Sequence, residues 1–174
     1  IVGGSGHQAA WLAQLRGRPA ERFTTVREFG AVGNGLSYAL GVAAARRQGR
    51  DGKLVLIEGD GGLLFHIQEL ETVRRHGMRM LICVMNDGGY GSEFHKLRAD
   101  GIDDSQAIFG RPAFENIARG FGLRGHEIRD VSIIPKLFAN FSAQGESEIW
   151  NIQISDKVTA PAIRQTIKRG HGKL

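Results

Sequence analysis

Apolar residues along this chain fall into two kinds of run, and their alternation predicts the elements. "KLVLIEG" (Lys53 to Gly59) and "RMLICVMN" (Arg79 to Asn86) are unbroken, the pattern of strands buried on both faces of a parallel sheet. Between them Leu64, Ile67, Leu70, Val73 and Arg74 follow i, i+3, i+6 and i+9/i+10 spacing. That predicts a helix with one apolar face and therefore a β-α-β unit. Upstream, "GNGLSYALGVAAARRQG" is Ala-rich, carries Arg46 and Arg47 near its end and stops at Gly49, all helix signals. Downstream, "RPAFENIARGFG" predicts a helix with Pro112 in its first turn, ending at Gly120 or Gly122. "LRGHEIR" reads as a short strand, "VSIIPKLFANFSAQG" as a helix, "SEIWNIQIS" as a strand and "APAIRQTIKRG" as a last helix. Strands alternating with helices predict a three-layer α/β fold, a doubly wound and mainly parallel sheet, with residues 1–174 forming one domain.

Composition narrows the class. At 174 residues, 41% hydrophobic and 24% charged, the chain can bury a core without disulfides or structural metals. No apolar run reaches the roughly 18 residues that a membrane span needs, so a soluble, cytoplasmic protein without a membrane role is expected. The single cysteine, Cys83, lies inside "MLICVM" and reads as a buried, inert thiol in a reducing compartment. Part of the +5 net charge sits in the tail "IRQTIKRGHGKL", which reads as a solvated helix end. With no zinc pattern and no basic stripe interleaved with aromatics, nucleic acid is not an expected partner. The chain starts without Met or a signal-like segment, which predicts processing or excision from a longer polypeptide.

Candidate chemistry lies at the strand ends, because open α/β sheets bind ligands outside the carboxyl ends of their strands. The first strand of the unit runs into Gly59-Asp60-Gly61-Gly62, and the next into Asn86-Asp87-Gly88-Gly89-Tyr90-Gly91. Adjacent parallel strands would bring both acids to one sheet edge. Asp60 and Asp87 then offer hard oxygen ligands for Mg²⁺, which takes its remaining oxygens from backbone, water and substrate phosphate. Gly61 and Gly62 open the following helix, where free N–H groups favour a phosphate that the missing Cβ allows to approach closely. Taken singly, Asp60 reads better as a helix-capping loop residue, and it is the pairing with Asp87 that favours the metal.

A Gly-Asp-Gly followed one helix and one strand later by an Asn-Asn pair is the signature of thiamine-diphosphate-dependent enzymes. This chain resembles their C-terminal, diphosphate-binding domain, in the acetolactate synthase, benzoylformate decarboxylase and pyruvate decarboxylase group. "GHQAAW" (Gly6 to Trp11) is similar to the family's Gly-Gln-His-Gln-x-Trp segment, and "GAVGNGLSYALG" (Gly30 to Gly41) to its Gly-x-Met-Gly-x-Gly-Leu-Pro-x-Ala-x-Gly segment. The resemblance covers nearly the whole chain and implies an acetolactate synthase-like decarboxylase or carboligase acting on a 2-oxo acid, with thiamine diphosphate and Mg²⁺ as cofactors. It implies that Asp60, Asp87 and the Gly89 carbonyl ligate the metal. His7, Gln8 and the N–H groups of Gly61, Gly62 and Ser92 would lie near the diphosphate, with Gly59, Tyr90 and Gly91 in the same loops. Gly30 would accept from the pyrimidine 4′-amino group, and Val32 would prop the cofactor and donate its N–H to that ring.

Two positions depart from the family pattern. Asp87 replaces an asparagine, which predicts tighter metal binding and a weaker pull on the diphosphate, and Val32 is smaller than the usual prop. Glu93, in "YGSEFHKL", stands where the pyruvate decarboxylase branch has a proton-handling acid, so it reads as a buried catalytic carboxyl or as a helix-start glutamate favoured by the dipole. His66 and His95 read as helix-surface residues, and Lys96 and Arg98 as solvated charges. The family completes its site with a glutamate from a separate domain that binds the pyrimidine, usually on another subunit. Its absence from the sequence implies that this chain is inactive alone, and that its partners are that domain and further copies in a dimer or tetramer.

Other readings stay open. The chain could be a small separate subunit, a nucleotide- or sugar-phosphate-binding module, or a regulatory domain that kept the fold without the cofactor. Against the module, the sequence has no Walker lysine motif, and Gly30 to Gly35, after "TTVREF", lacks G-x-G-x-x-G spacing. "IVGG" and "GDGG" are similar to trypsin-like proteases, but Gly61 stands where the nucleophilic serine would be.

Overall fold

A computed structural model of the chain describes residues 1–15, 17, 19–25, 28–46 and 53–171. Six strands form one sheet in the order β2-β1-β3-β4-β6-β5. They are β1 (Val2–Gly3), β2 (Thr24–Thr25), β3 (Leu54–Gly59), β4 (Met80–Asn86), β5 (Arg124–Ile128) and β6 (Glu148–Gln153). Every pairing is parallel. The helices are α1 (His7–Leu12), α2 (Asn34–Arg46), α3 (Asp60–Phe65), α4 (Leu70–Arg75), α5 (Gly91–Ala99), α6 (Phe114–Gly120), α7 (Ile134–Ala143) and α8 (Pro161–His171). Among the described residues no helix is long and apolar enough to cross a membrane.

The core lies on both faces of the sheet. On one face Leu54, Leu56, Ile82, Val84 and Ile149 pack against Leu36 and Ala39 of α2, Leu70 and Val73 of α4, and Phe114 and Ala118 of α6. On the other, Leu81, Cys83, Trp150 and Ile152 pack against Phe141 of α7. Central β4 is buried at six of its seven positions, whereas β3 alternates, leaving Val55 and Ile57 half-buried. Five consecutive buried residues, Met80 to Val84, explain why the run "RMLICVMN" carries no alternation.

The expected single helix between β3 and β4 is broken. His66 leaves helical geometry (φ −131°, ψ 26°), and a turn at Ile67–Glu69 separates α3 from α4. The cause is tertiary, since His66 Nδ1 sits 2.7 Å from the Gly33 carbonyl oxygen. Leu70 and Val73 are buried as the spacing predicts, but Leu64 is exposed. The expected helix over Pro112 begins at Phe114, and the one over "VSIIPKLFANFSAQG" begins with a short turn at Val131–Ile133. Arg47, the expected stop at Gly49, Val26 and Arg27 of "TTVREF", and the last three tail residues lie outside the described residues.

The chain leaves β1 toward β2 at one edge, then returns to place β3 on the opposite side of β1. In a doubly wound sheet a crevice opens at such a reversal, and ligands bind there.

Candidate functional site

A cavity of about 610 Å³ opens beside the carboxyl ends of β1, β3, β4 and β6. All the candidate residues named from the sequence line it: His7, Gln8, Gly30, Val32, Gly59, Asp60, Gly61, Gly62, Asp87, Gly89, Tyr90, Gly91, Ser92 and Glu93. Parallel pairing of Glu58 with Val84 and Gly59 with Met85 explains why Asp60 and Asp87 emerge side by side. Asn86, one residue earlier, faces the other way. Its amide donates to Asn151 Oδ1 at 2.9 Å and to the Pro112 carbonyl at 3.1 Å, tying β4 to β6 and to the loop before α6.

Asp60 is 2% exposed and accepts from Gly61 N–H at 2.8 Å and Gly88 N–H at 2.7 Å. Burial first, and the Asp87 charge second, push its carboxyl up to about 7 despite these hydrogen bonds. Asp87 is itself 8% exposed. Two buried acids that repel each other at one sheet edge are a poor arrangement without a cation and a suitable one with a divalent ion between them. No group of three or more His, Cys, Asp or Glu side chains placed to hold a metal ion by themselves occurs among the described residues. An ion here would therefore complete its shell from backbone, water and phosphate oxygens, as Mg²⁺ does. The donor set fits Mg²⁺ with a diphosphate.

Glycine at the cavity floor also answers to the chain's own side chains. A Cβ on Gly61 would lie 2.7 Å from the Tyr90 ring, and one on Gly62 would meet the Glu58 carboxylate. One on Gly91 would come within 2.6 Å of Asp87 Oδ2 and 3.0 Å of His7 Nδ1. These glycines let the chain's own side chains crowd beneath the cradle.

Glu58 is the residue that sequence reasoning missed. It is fully buried, at the end of β3 on the same face as Leu54 and Leu56. Room for its carboxylate comes from Gly4, Gly35 and Gly62, at each of which a Cβ would collide with it. Its Oε1 accepts from Gln8 Nε2 at 2.9 Å and Gly59 N–H at 3.0 Å. Burial pushes its carboxyl up to about 7, against the pull of the Gly59 and Gly35 N–H groups. The available signal was an acid in period with two core leucines.

Several expectations change. Gln8 lines the cavity with both amide hydrogens spent on Glu58 and on the Ser5 carbonyl, which leaves only its oxygen, an acceptor, to meet a ligand. Glu93 lines the cavity but is not buried: its side chain is 57% exposed and lies 3.2 Å from Lys96 Nζ. His95 is no surface residue. It is 6% exposed, and burial, then His7 and Arg98, hold its ring down at about 4. Arg98 stacks on Phe94 and pairs with Asp104 and Asp156. The tail read as a solvated helix end supplies part of a wall, with Ile163 lining the cavity beside Val158 of the preceding loop. Cys83 is buried as expected, with its thiol pushed up to about 12.

Fold and site together define a doubly wound α/β domain with an acidic, glycine-lined ligand cleft at its topological switch point. Over residues 4–147 the chain matches the family described as thiamine pyrophosphate enzyme, C-terminal TPP binding domain, and it belongs to that family. It is 30% identical over 127 residues to the acetolactate synthase isozyme 2 large subunit of Escherichia coli (strain K12), covering 71% of this chain and 22% of that protein. It is 27% identical over 131 residues to an acetolactate synthase of Arthrospira platensis, covering 74% and 22%. A benzoylformate decarboxylase from Polynucleobacter necessarius shares the fold, with a TM-score of 0.81 at 15% identity over 91% of this chain and 30% of that one. The chain thus spans about a fifth of the length of the acetolactate synthases it matches.

Proposed function

We propose that this domain holds Mg²⁺ and the diphosphate end of thiamine diphosphate for an acetolactate synthase-like enzyme that cleaves or joins carbon–carbon bonds at a 2-oxo acid. The observation that carries the reading is the convergence of Asp60 and Asp87 with the glycine-rich turns after β3 and β4 in one cleft. Asp60, Asp87 and the Gly89 carbonyl would hold the ion. The N–H groups of Gly61, Gly62 and Ser92 would hold the diphosphate at the starts of α3 and α5, where the dipole favours an anion. Gly30 and Val32 would meet the pyrimidine. When bound, thiamine diphosphate supplies the nucleophile and electron sink; this chain positions it, excludes water and sets the charge around it.

A second surface completes the cavity in this proposal. Trp11, Leu15, Val32, Tyr90 and Val158 line it and are each at least 36% exposed, an apolar rim suited to cover by another domain. That domain, from the same polypeptide or another subunit, would bring the glutamate that contacts the pyrimidine, in a dimer or tetramer. The described domain would then bind cofactor without turning over substrate.

Calorimetry of the chain with thiamine diphosphate, with and without Mg²⁺, and with nucleotides instead, tests the binding. Mg²⁺-dependent binding of thiamine diphosphate alone is expected; preference for nucleotides would overturn the reading. Robust 2-oxo acid decarboxylation by the chain alone would overturn the half-site.

A further inference from the structure

His7 opens α1, and its two ring nitrogens face different things. Nε2 lies 2.9 Å from the Ala160 backbone nitrogen, which has only a hydrogen to offer, across 153 positions of sequence. A ring nitrogen that accepts an N–H carries no proton, so the ring hydrogen sits on Nδ1. The chain fixes a tautomer that a free imidazole would not hold. The neighbours hold the ring plane as well: His95 packs edge-on at 4.7 Å between centroids, and its own Nδ1 lies 3.0 Å from Thr159 Oγ1. Two consecutive residues just before α8 therefore clamp both rings.

The hydrogen on Nδ1 has nowhere to go within the described residues. Nδ1 is buried and has no hydrogen-bond partner, its nearest acid oxygen being Asp87 Oδ2 at 3.7 Å. It sits over Gly91, the first residue of α5, and His7, Asp87 and Gly91 all line the cavity. A buried donor without an acceptor keeps the full cost of losing its water, so a ligand atom that accepts from it is favoured. Gln8, the next residue, offers the opposite polarity, because its amide hydrogens are spent on Glu58 and Ser5.

We infer that the Thr159–Ala160 segment before α8 is a positioning element for the cradle. Its Ala160 N–H locks His7 in the Nδ1–H tautomer, so that the ring donates to an anion held over the start of α5, while Gln8 can only accept. This assigns to the end of the chain a role at a site built from its beginning and middle. It rests on the cofactor reading only in naming that anion as a phosphate.

Nitrogen NMR of the ¹⁵N-labelled chain reads the lock directly, without a variant or a bound ligand. His7 Nε2 is expected to resonate as an unprotonated nitrogen, with a scalar coupling to Ala160 N across the hydrogen bond. An Nε2–H tautomer, or a fast mixture of the two, would overturn the lock. Calorimetry with magnesium pyrophosphate then reads the donor, comparing the unaltered chain with His7→Asn, whose amide reaches the Nδ1 position, and His7→Gln, whose amide reaches only Nε2. A hydrogen bond to a charged group corresponds to a loss of roughly ten- to a hundredfold when removed. That loss is expected in His7→Gln and largely restored in His7→Asn. Equal binding by both variants would overturn the donor role even with the lock intact. No pyrophosphate binding by the unaltered chain would overturn the donor role together with the cofactor reading, and the tautomer would be judged separately from its own spectrum.

Discussion

Raising the pH of the metal-free domain from about 4 to about 8 should weaken it, and Glu58 gives the clearest share of the loss. Its carboxyl moves from an ordinary 4.5 to about 7 on folding, chiefly through burial. A raised folded-state value means that the protonated form is favoured by folding. The contribution is complete below 4.5 and disappears as the pH passes 7. Each unit corresponds to about 1.4 kcal/mol, so the Glu58 share is roughly 3 kcal/mol. For a domain of this size that is on the order of 6–12 °C in melting temperature. The perturbation is Glu58→Gln, which cannot ionise. Urea unfolding in a metal chelator at pH 5 and pH 8 reads the difference for each protein, so any fixed cost of the substitution cancels. The unaltered chain should lose more stability between the two pH values than the variant, by roughly 3 kcal/mol at most. Equal losses would refute the argument that the strain of a buried carboxylate sits at Glu58.

Other expectations follow from the same geometry. Asp60 must lose its proton to bind an ion, and its carboxyl is held up at about 7, so Mg²⁺ affinity should climb as pH rises through 7; a flat calorimetric profile from pH 5.5 to 8.5 would contradict this. Gly61→Ala places a methyl 2.7 Å from the Tyr90 ring and should destabilise by about 1–3 kcal/mol in thermal unfolding, with cofactor binding weakened beyond that loss. Cys83, buried with its thiol pushed up to about 12, should resist iodoacetamide at pH 8 in the folded chain and react once urea unfolds it.

What the sequence made legible follows the strength of its periodic signals. β3 and β4 were found within a residue at their starts because a doubly covered strand leaves an unbroken apolar run, and their parallel pairing brought Asp60 and Asp87 together as expected. The two-residue strands β1 and β2 are too short to carry any period. The break at His66 was invisible because it answers to Gly33, thirty-three positions away. Glu58 was overlooked for a related reason. Its solvation is replaced by Gln8, Gly35 and Gly59, and the space it needs is made by glycines from three separate segments. Ile163, in the cavity wall, belongs to a stretch that reads as solvated tail because charges dominate α8, while the apolar side of that helix turns toward α1 and the cavity.

The proposed function stands on one cleft holding a metal-bridged diphosphate between two strand ends. A crystal structure of the chain grown with thiamine diphosphate and Mg²⁺ tests it most directly. An ion is expected about 2.0–2.1 Å from oxygens of Asp60, Asp87 and Gly89, with the diphosphate against the N–H groups at the starts of α3 and α5. An ion away from both carboxylates, or a cleft that stays empty at saturating cofactor, would contradict it.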